Sequence, residues 1–113
     1  MFGLNIKEID APELAQRLEN DHDHVCVVDV REPVEVSAGT IPGAVHIPMR
    51  SIPWHAGELE RDKDLVIICR SGARSAQVCA FLQQQGFENV YNLRGGIIAW
   101  ARAGLPAALP RTA

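Results

Sequence analysis

Leu65-Val66-Ile67-Ile68-Cys69-Arg70-Ser71-Gly72-Ala73-Arg74-Ser75 decides the fold. Leu65–Ile68 is a short, unbroken apolar run rich in β-branched residues, the pattern of a strand buried on both faces of a parallel sheet. From Ser75 to about Gln85 the period becomes helical, with Ala76, Cys79, Ala80 and either Phe81 or Leu82 forming the face to bury and Gly86 placed as a left-handed cap. Strand, tight loop and helix in succession make a βα unit, and strands alternate with helices throughout the chain, which implies right-handed crossovers and a mostly parallel sheet. Cys69 then stands at the carboxyl end of a strand, where open α/β sheets present ligand sites, and beside a helix amino terminus with its partial positive charge. Both conditions favour a thiolate over a thiol. Arg70 and Arg74 are the only charged residues between Cys69 and Gln85, so the segment is locally positive in a chain of formal net charge −3.

Working outward toward the amino terminus, Val25-Cys26-Val27-Val28-Asp29-Val30 has the same continuous apolar character and reads as a second central strand. Cys26 is accordingly expected in the core, where burial makes a thiol inert. Asp29 and Arg31 fall at the carboxyl end of this strand, on the same sheet edge as Cys69, where they border the site. The expected role of Asp29 is to accept hydrogen bonds from loop amides and fix the loop. Glu32–Val36 reads as a short helix opened by Pro33, Ile41-Pro42-Gly43-Ala44 as a type II turn, and Val45-His46-Ile47 as a short strand closed by Pro48, with His46 a hydrogen-bonded structural residue. Asn5–Ile9 is an edge-strand candidate, and Asp10-Ala11-Pro12-Glu13 carries the cap signals of a helix running to about Glu19. The cluster Asn20–His24 fits a solvated turn better than a metal site, because four neighbours in one turn seldom close a coordination shell.

Residues 50–64 are polar and read as a surface connection anchored by Trp54. On the other side of the loop, Val90–Leu93 is the last strand, Arg94-Gly95-Gly96 a turn with close backbone approach, and a short helix runs through Trp100 to Arg102. That turn lacks the glycine spacing and lysine of a phosphate-binding loop. Gly104–Pro110 is a tail that wraps or frays. Cys79, two turns into its helix, is expected to face the sheet rather than Cys69.

A chain of 113 residues with 47% hydrophobic and 22% charged residues is expected to fold as one domain, residues 1–113. The negative balance argues against nucleic-acid binding, and no run approaches the roughly 18 apolar residues of a membrane span. Met1–Glu8 lacks a basic region followed by a long apolar stretch, so no secretory signal is expected. Three widely spaced cysteines suit neither a disulfide framework nor a zinc site, and a reducing, cytoplasmic setting with no metal is the expectation.

Chemically, a cysteine under converging N–H groups is a nucleophile at neutral pH. Gly72 lets the chain curl so that successive amides point inward, and small Ser71, Ala73 and Ser75 keep the mouth open. Arg70 and Arg74 offer planar donors for an oxyanion such as a sulfonate or phosphate. The loop holds no histidine or acid to act as a general base, which fits transfer of an already electrophilic atom better than peptide hydrolysis.

Four stretches in order resemble the rhodanese family of single-domain sulfurtransferases: Asp29-Val30-Arg31-Glu32, Gly39-Thr40-Ile41-Pro42-Gly43-Ala44-Val45-His46-Ile47-Pro48, Cys69–Ser75, and Leu93-Arg94-Gly95-Gly96 through Trp100 and Pro106. The resemblance implies a three-layer α/β/α fold with a five-stranded sheet of order 1-5-4-2-3. It implies that Cys69 takes the outer sulfur of a donor such as thiosulfate, carries it as a persulfide and passes it to cyanide or a thiol, with Arg70, Ser71, Gly72, Ala73, Arg74 and Ser75 binding the donor and no cofactor. The partners implied are an anionic sulfur donor and a thiol or cyanide acceptor, either of which a protein could supply; neither nucleic acid nor membrane is among them. Thr40 departs from the pattern, since many relatives have histidine there, which puts one local contact in question.

Three competing readings remain. Cysteine phosphatases and arsenate reductases share this fold by resemblance, with five residues between cysteine and arginine where Cys69 and Arg74 enclose four; the shorter ring suits a carried sulfur better than a phosphoryl group. A non-catalytic binding module is the usual fate of relatives that lose the cysteine, which is present here. An exposed thiol of low pKa would also oxidise to sulfenic acid and act as a redox sensor.

Overall fold

The computed structural model describes residues 5–111; half of the stretch read for a signal segment, residues 1–4, lies outside them. Five strands form one parallel sheet: β1 (Lys7–Ile9), β2 (Val25–Asp29), β3 (Val45–His46), β4 (Asp64–Ile68) and β5 (Val90–Leu93). Their order is β1-β5-β4-β2-β3, as the resemblance implies, with β4 at the centre. Register pairs Val28 with Ile67 and Asp29 with Ile68 on one side of β4, and Ile67 with Asn92 on the other.

Alternation along the central strands divides the core. Val28, Leu65, Ile67 and Val90 face one side, where α3 (Ile52–His55) and α4 (Ala73–Gln84) cover them through Ile52, Val78, Cys79 and Leu82. Val25, Val27, Val66, Ile68 and Leu93 face the other, under α1 (Ala11–Asn20) and α5 (Gly96–Arg102) through Leu14 and Trp100. The remaining helix, α2 (Pro33–Val36), is a single turn that follows β2. Among the described residues no helix is long and apolar enough to cross a membrane.

Local chemistry explains the boundaries. The Asp10 carboxylate accepts from Glu13 N–H at 2.9 Å while the Glu13 carboxylate accepts from Asp10 N–H, a reciprocal cap that starts α1. Ala44 N–H closes on Ile41 C=O at 3.0 Å over Gly43, whose φ of +84° gives the expected type II turn. The tail wraps: Trp100 Nε1–H donates to Pro106 C=O, Thr40 and Ala108 exchange backbone hydrogen bonds, and Arg111 N–H reaches Ala44 C=O.

Three expectations need correction. Trp54 does not anchor the 50–64 connection; it is 82% exposed, while Ile52 and Ala56, one turn apart on α3 and its extension, point inward and leave the i+2 position facing out. Cys26 is only half-buried, because it opens on a cleft beside His55, Leu59 and Lys63, although burial still pushes its thiol up. On α4 the buried stripe is Ser75, Val78, Cys79 and Leu82, with Ala76 and Ala80 half-buried, so the inner face is rotated by about one residue toward Ser75.

Candidate active site

Cys69 follows the last residue of β4, and its surroundings are held from two sides. Ile68 C=O accepts from Val30 N–H at 3.0 Å on the β2 side; Cys69 C=O and Arg70 C=O accept from Ile97 and Ile98 N–H, at 2.9 and 3.2 Å, at the start of α5. The Gly95-Gly96 turn is therefore the platform on which the loop rests. A Cβ on Gly96 would stand 2.4 Å from Arg70 C=O and 2.5 Å from Cys69 C=O, and its φ is +60°, so only glycine permits this contact. The close backbone approach expected there from sequence is the approach of this turn to the cysteine loop.

From that floor the chain turns through Gly72, φ +106°, which caps α4 in the left-handed conformation. The turn brings Gly72 N–H to 3.1 Å, Ser75 N–H to 3.4 Å and Ser75 Oγ to 3.2 Å from Cys69 Sγ. Burial alone pushes the thiol up and is the largest single influence. The Ser75 hydroxyl and the N–H groups of Ser75, Gly72 and Ser71 together outweigh it, and the net shift is downward. Cys69 is 1% exposed. This corrects the exposed thiol assumed for a redox sensor: the sulfur sits under the loop, reachable by one small group at a time. Ser75 likewise lies fully buried beneath the loop, leaving Ser71 and Ala73 at its exposed rim.

The two arginines differ. Arg70 is exposed and makes no ion pair among the described residues. Arg74 is gripped end-on by Glu35 of α2, Nη1 to Oε1 at 2.8 Å and Nη2 to Oε2 at 2.9 Å. The arginine holds the Glu35 carboxyl down at about 2, so the pair is ionised at any working pH. Counting charge along the loop alone missed this acid, which comes from 39 residues earlier.

Asp29 and Arg31 do reach the same sheet edge, where they bind each other. Asp29 is fully buried and accepts from Arg31 N–H, from Arg31 Nη2–H at 2.8 Å and from the Thr40 hydroxyl at 2.7 Å, while Arg31 also donates to Gly39 C=O. His46 Nε2–H donates to Arg31 C=O at 2.7 Å. No hydrogen bond from this group reaches Cys69 among the described residues; it shapes the 29–40 loop from which Glu35 projects. Thr40, the departure noted above, is one of its ties. Cys79 is fully buried, and burial with the nearby Cys69 charge pushes its thiol up to about 12.

Sequence reasoning missed Asn92. It is 4% exposed on β5, its Nδ2–H donates to Gly72 C=O at 3.0 Å, and its Oδ1 accepts from the Ser75 hydroxyl. A polar residue at the third position of the last strand, inside the otherwise apolar Val90–Leu93 run and shortly before the glycine pair, was the available signal.

Chemically, the assembly offers, among the described residues, a sulfur nucleophile activated by peptide dipoles and the Ser75 hydroxyl, one free cation at the rim and no base within hydrogen-bond reach of the sulfur. Residues 10–103 match the family model of the rhodanese-like domain. A sulfurtransferase of Allochromatium vinosum is 54% identical over 105 residues, covering 93% of this chain and 97% of that protein. The crystal structure of a rhodanese-related protein from Thermoplasma volcanium superposes with a TM-score of 0.82 at 36% identity, covering 91% of this chain and 98% of the other. A protein from Rhodopseudomonas palustris described as a possible tyrosine phosphatase superposes with a TM-score of 0.83 at 25% identity, covering 91% and 85%. With its sheet order, its cysteine loop and these relatives in agreement, the chain belongs to the rhodanese-like domain family.

Proposed function

We propose that this chain is a sulfurtransferase that carries a sulfane sulfur as a persulfide on Cys69. The observation that supports this best is the convergence of Gly72 N–H, Ser75 N–H and the Ser75 hydroxyl on Sγ with no general base beside it among the described residues. Such a site stabilises an anion already formed and suits displacement at an electrophilic sulfur. With thiosulfate as donor, the Cys69 thiolate attacks the outer sulfur, the new S–S bond forms as the old one breaks, and sulfite leaves with its electron pair. One singly charged sulfur anion replaces another on the enzyme. The terminal sulfur then lies toward the first-turn amides of α4, whose N–H groups have no helical partner. A cyanide ion or thiolate takes that sulfur and returns the Cys69 thiolate. Arg70 receives the sulfonate end of the donor at the rim. In a reducing compartment small thiols are at hand as acceptors, and a protein partner could reach the same rim.

Intact-mass spectrometry after thiosulfate treatment tests this: one sulfur is expected on Cys69, and cyanide removes it as thiocyanate. Absence of the adduct together with hydrolysis of an aryl phosphate overturns the proposal in favour of a phosphatase.

The Glu35–Arg74 pair predicts opposite effects of two substitutions. Arg74→Ala leaves the Glu35 carboxylate unpaired near an anion site, and KM for thiosulfate is expected to rise by roughly tenfold; Glu35→Gln frees the guanidinium and lowers KM by a smaller factor. Because Glu35 titrates at about 2, the contrast persists across the neutral and mildly acidic range. Steady-state kinetics with thiosulfate decide it: changes of the same sign would mean that the pair only braces α2 against the loop.

A further inference from the structure

The Ser75 hydroxyl has two claimants and one proton. Its oxygen lies 3.2 Å from Cys69 Sγ and within hydrogen-bond distance of Asn92 Oδ1. Asn92 cannot resolve the conflict by flipping its amide. Its Nδ2 is 3.0 Å from Gly72 C=O, which only accepts, so a flip would set two oxygens face to face. Oδ1 therefore points at Ser75 and needs the Ser75 proton.

With Cys69 as a thiol, every group is served. The S–H donates to Ser75 Oγ, the Ser75 O–H to Asn92 Oδ1, and Asn92 Nδ2–H to Gly72 C=O. Ionisation sends the thiol proton to solvent and creates a charged acceptor at Sγ. The Ser75 O–H swings to it, because a hydrogen bond to an anion is about twice as strong as a neutral one, and Asn92 Oδ1 is left buried without a donor. Once an outer sulfur is attached, the negative charge moves to that atom, Sγ becomes a weak acceptor, and the Ser75 proton returns to Asn92. Gly72 C=O already accepts from Ala76 N–H at 3.1 Å, so the Asn92 amide is not needed to satisfy it.

We infer that Asn92 is a positioning residue which, through the single hydroxyl proton of Ser75, disfavours the empty thiolate relative to both the thiol and the sulfur-loaded cysteine. The part concerning the loaded state rests on the persulfide reading above; the part concerning thiol and thiolate does not. The consequence is a site that binds transferred sulfur more tightly than its amides alone would provide.

Asn92→Leu, nearly isosteric and unable to accept, is the test. Site-resolved alkylation of Cys69 by iodoacetamide is expected to run roughly fivefold faster in mildly acidic buffer, with the pH profile moved toward acid, since an orphaned carbonyl no longer opposes ionisation. A residue that merely braced the cradle would give the opposite sign. In a Ser75→Ala background the same substitution is expected to change nothing. Slower or unchanged alkylation, or an effect that survives Ser75→Ala, overturns the inference. In mixtures of thiosulfate and sulfite, the loaded fraction of Asn92→Leu is expected to fall by a similar factor; equal loading removes the claim about the persulfide, whereas no adduct in the unsubstituted protein removes the sulfurtransferase reading instead. Should Asn92→Leu fail to fold, the infrared S–H stretch of Cys69 in the unsubstituted protein at low pH, assigned by its loss in Cys69→Ser, decides the matter. A band moved well below that of a simple thiol in an apolar solvent shows the thiol proton donated, and a band at that apolar-solvent position shows that it is not and overturns the inference.

Discussion

Cys69→Ser is expected to lower the rate of thiocyanate formation from thiosulfate and cyanide by roughly a thousandfold or more, while Cys26→Ser and Cys79→Ala retain most of it. The reason lies in what the loop provides. Its N–H groups lower the cost of a negative charge on sulfur, whose ordinary titration is already within a few units of neutrality; a serine oxygen lies far beyond their reach and stays protonated. No base in the loop could take its proton, and so the substituted enzyme has no second route. Cys79 shares the core beneath the loop, yet burial pushes its thiol up to about 12, which leaves it protonated and unable to serve as a second nucleophile. Cys26 lies on β2, near the opposite end of the strand from the site. Some loss of stability in Cys79→Ala is expected from the deleted sulfur, about 1 kcal/mol and read as a lower melting temperature, with little effect on rate. A matching loss of rate in Cys79→Ala at unchanged melting temperature would make Cys79 a resolving thiol.

Gly96→Ala is expected to destabilise the protein by about 2–4 kcal/mol and to disarm Cys69 in whatever remains folded. Two penalties coincide. The backbone at φ +60° is one that side-chain-bearing residues rarely adopt, and the new Cβ would meet the carbonyls of Arg70 and Cys69 at 2.4 and 2.5 Å, well inside contact. Backbone cannot swing aside as a flexible side chain does. Relief requires α5 to move off, breaking the Ile97 and Ile98 N–H bonds that pin the loop floor. Gly104→Ala isolates the first penalty, because Gly104 has φ +74° with no atom of the described residues within 4 Å of its added Cβ, and about 1 kcal/mol is expected there. Denaturant midpoints and Cys69 alkylation rates of the two variants separate strain from displacement. If Gly96→Ala behaved like Gly104→Ala in both, α5 would not be the support of the loop.

What could be read from the chain was whatever depends on neighbours in sequence. Four consecutive apolar residues before Cys69, Pro42-Gly43, and Asp10 with Glu13 each carry their own conformational instruction, and each appears in the structure as expected. Contacts between distant segments left weaker marks. Glu35 looks like one more acid in a short helix until the fold brings Arg74 to it. Asn92 looks like an ordinary surface residue until β5 is placed beside β4 with α4 over that face. Trp54 departs from expectation for a related reason: size argues for burial, but on a helix of one turn the phase set by Ile52 and Ala56 leaves position 54 outside. A central strand argues for full burial of Cys26; the incomplete cover over its end is a property of the 50–64 connection.

The cradle around Cys69 is made largely of peptide N–H groups, which every residue except proline possesses. Its ability to hold a sulfur anion is thus written in the path of the chain and only faintly in the side chains at its rim. Ser71 and Ala73 can be exchanged for other residues without removing a single backbone donor. Descent can therefore alter what docks at the mouth while the reactive centre is inherited intact, so that recognition and reactivity are free to evolve at separate rates on one eleven-residue stretch from Leu65 to Ser75.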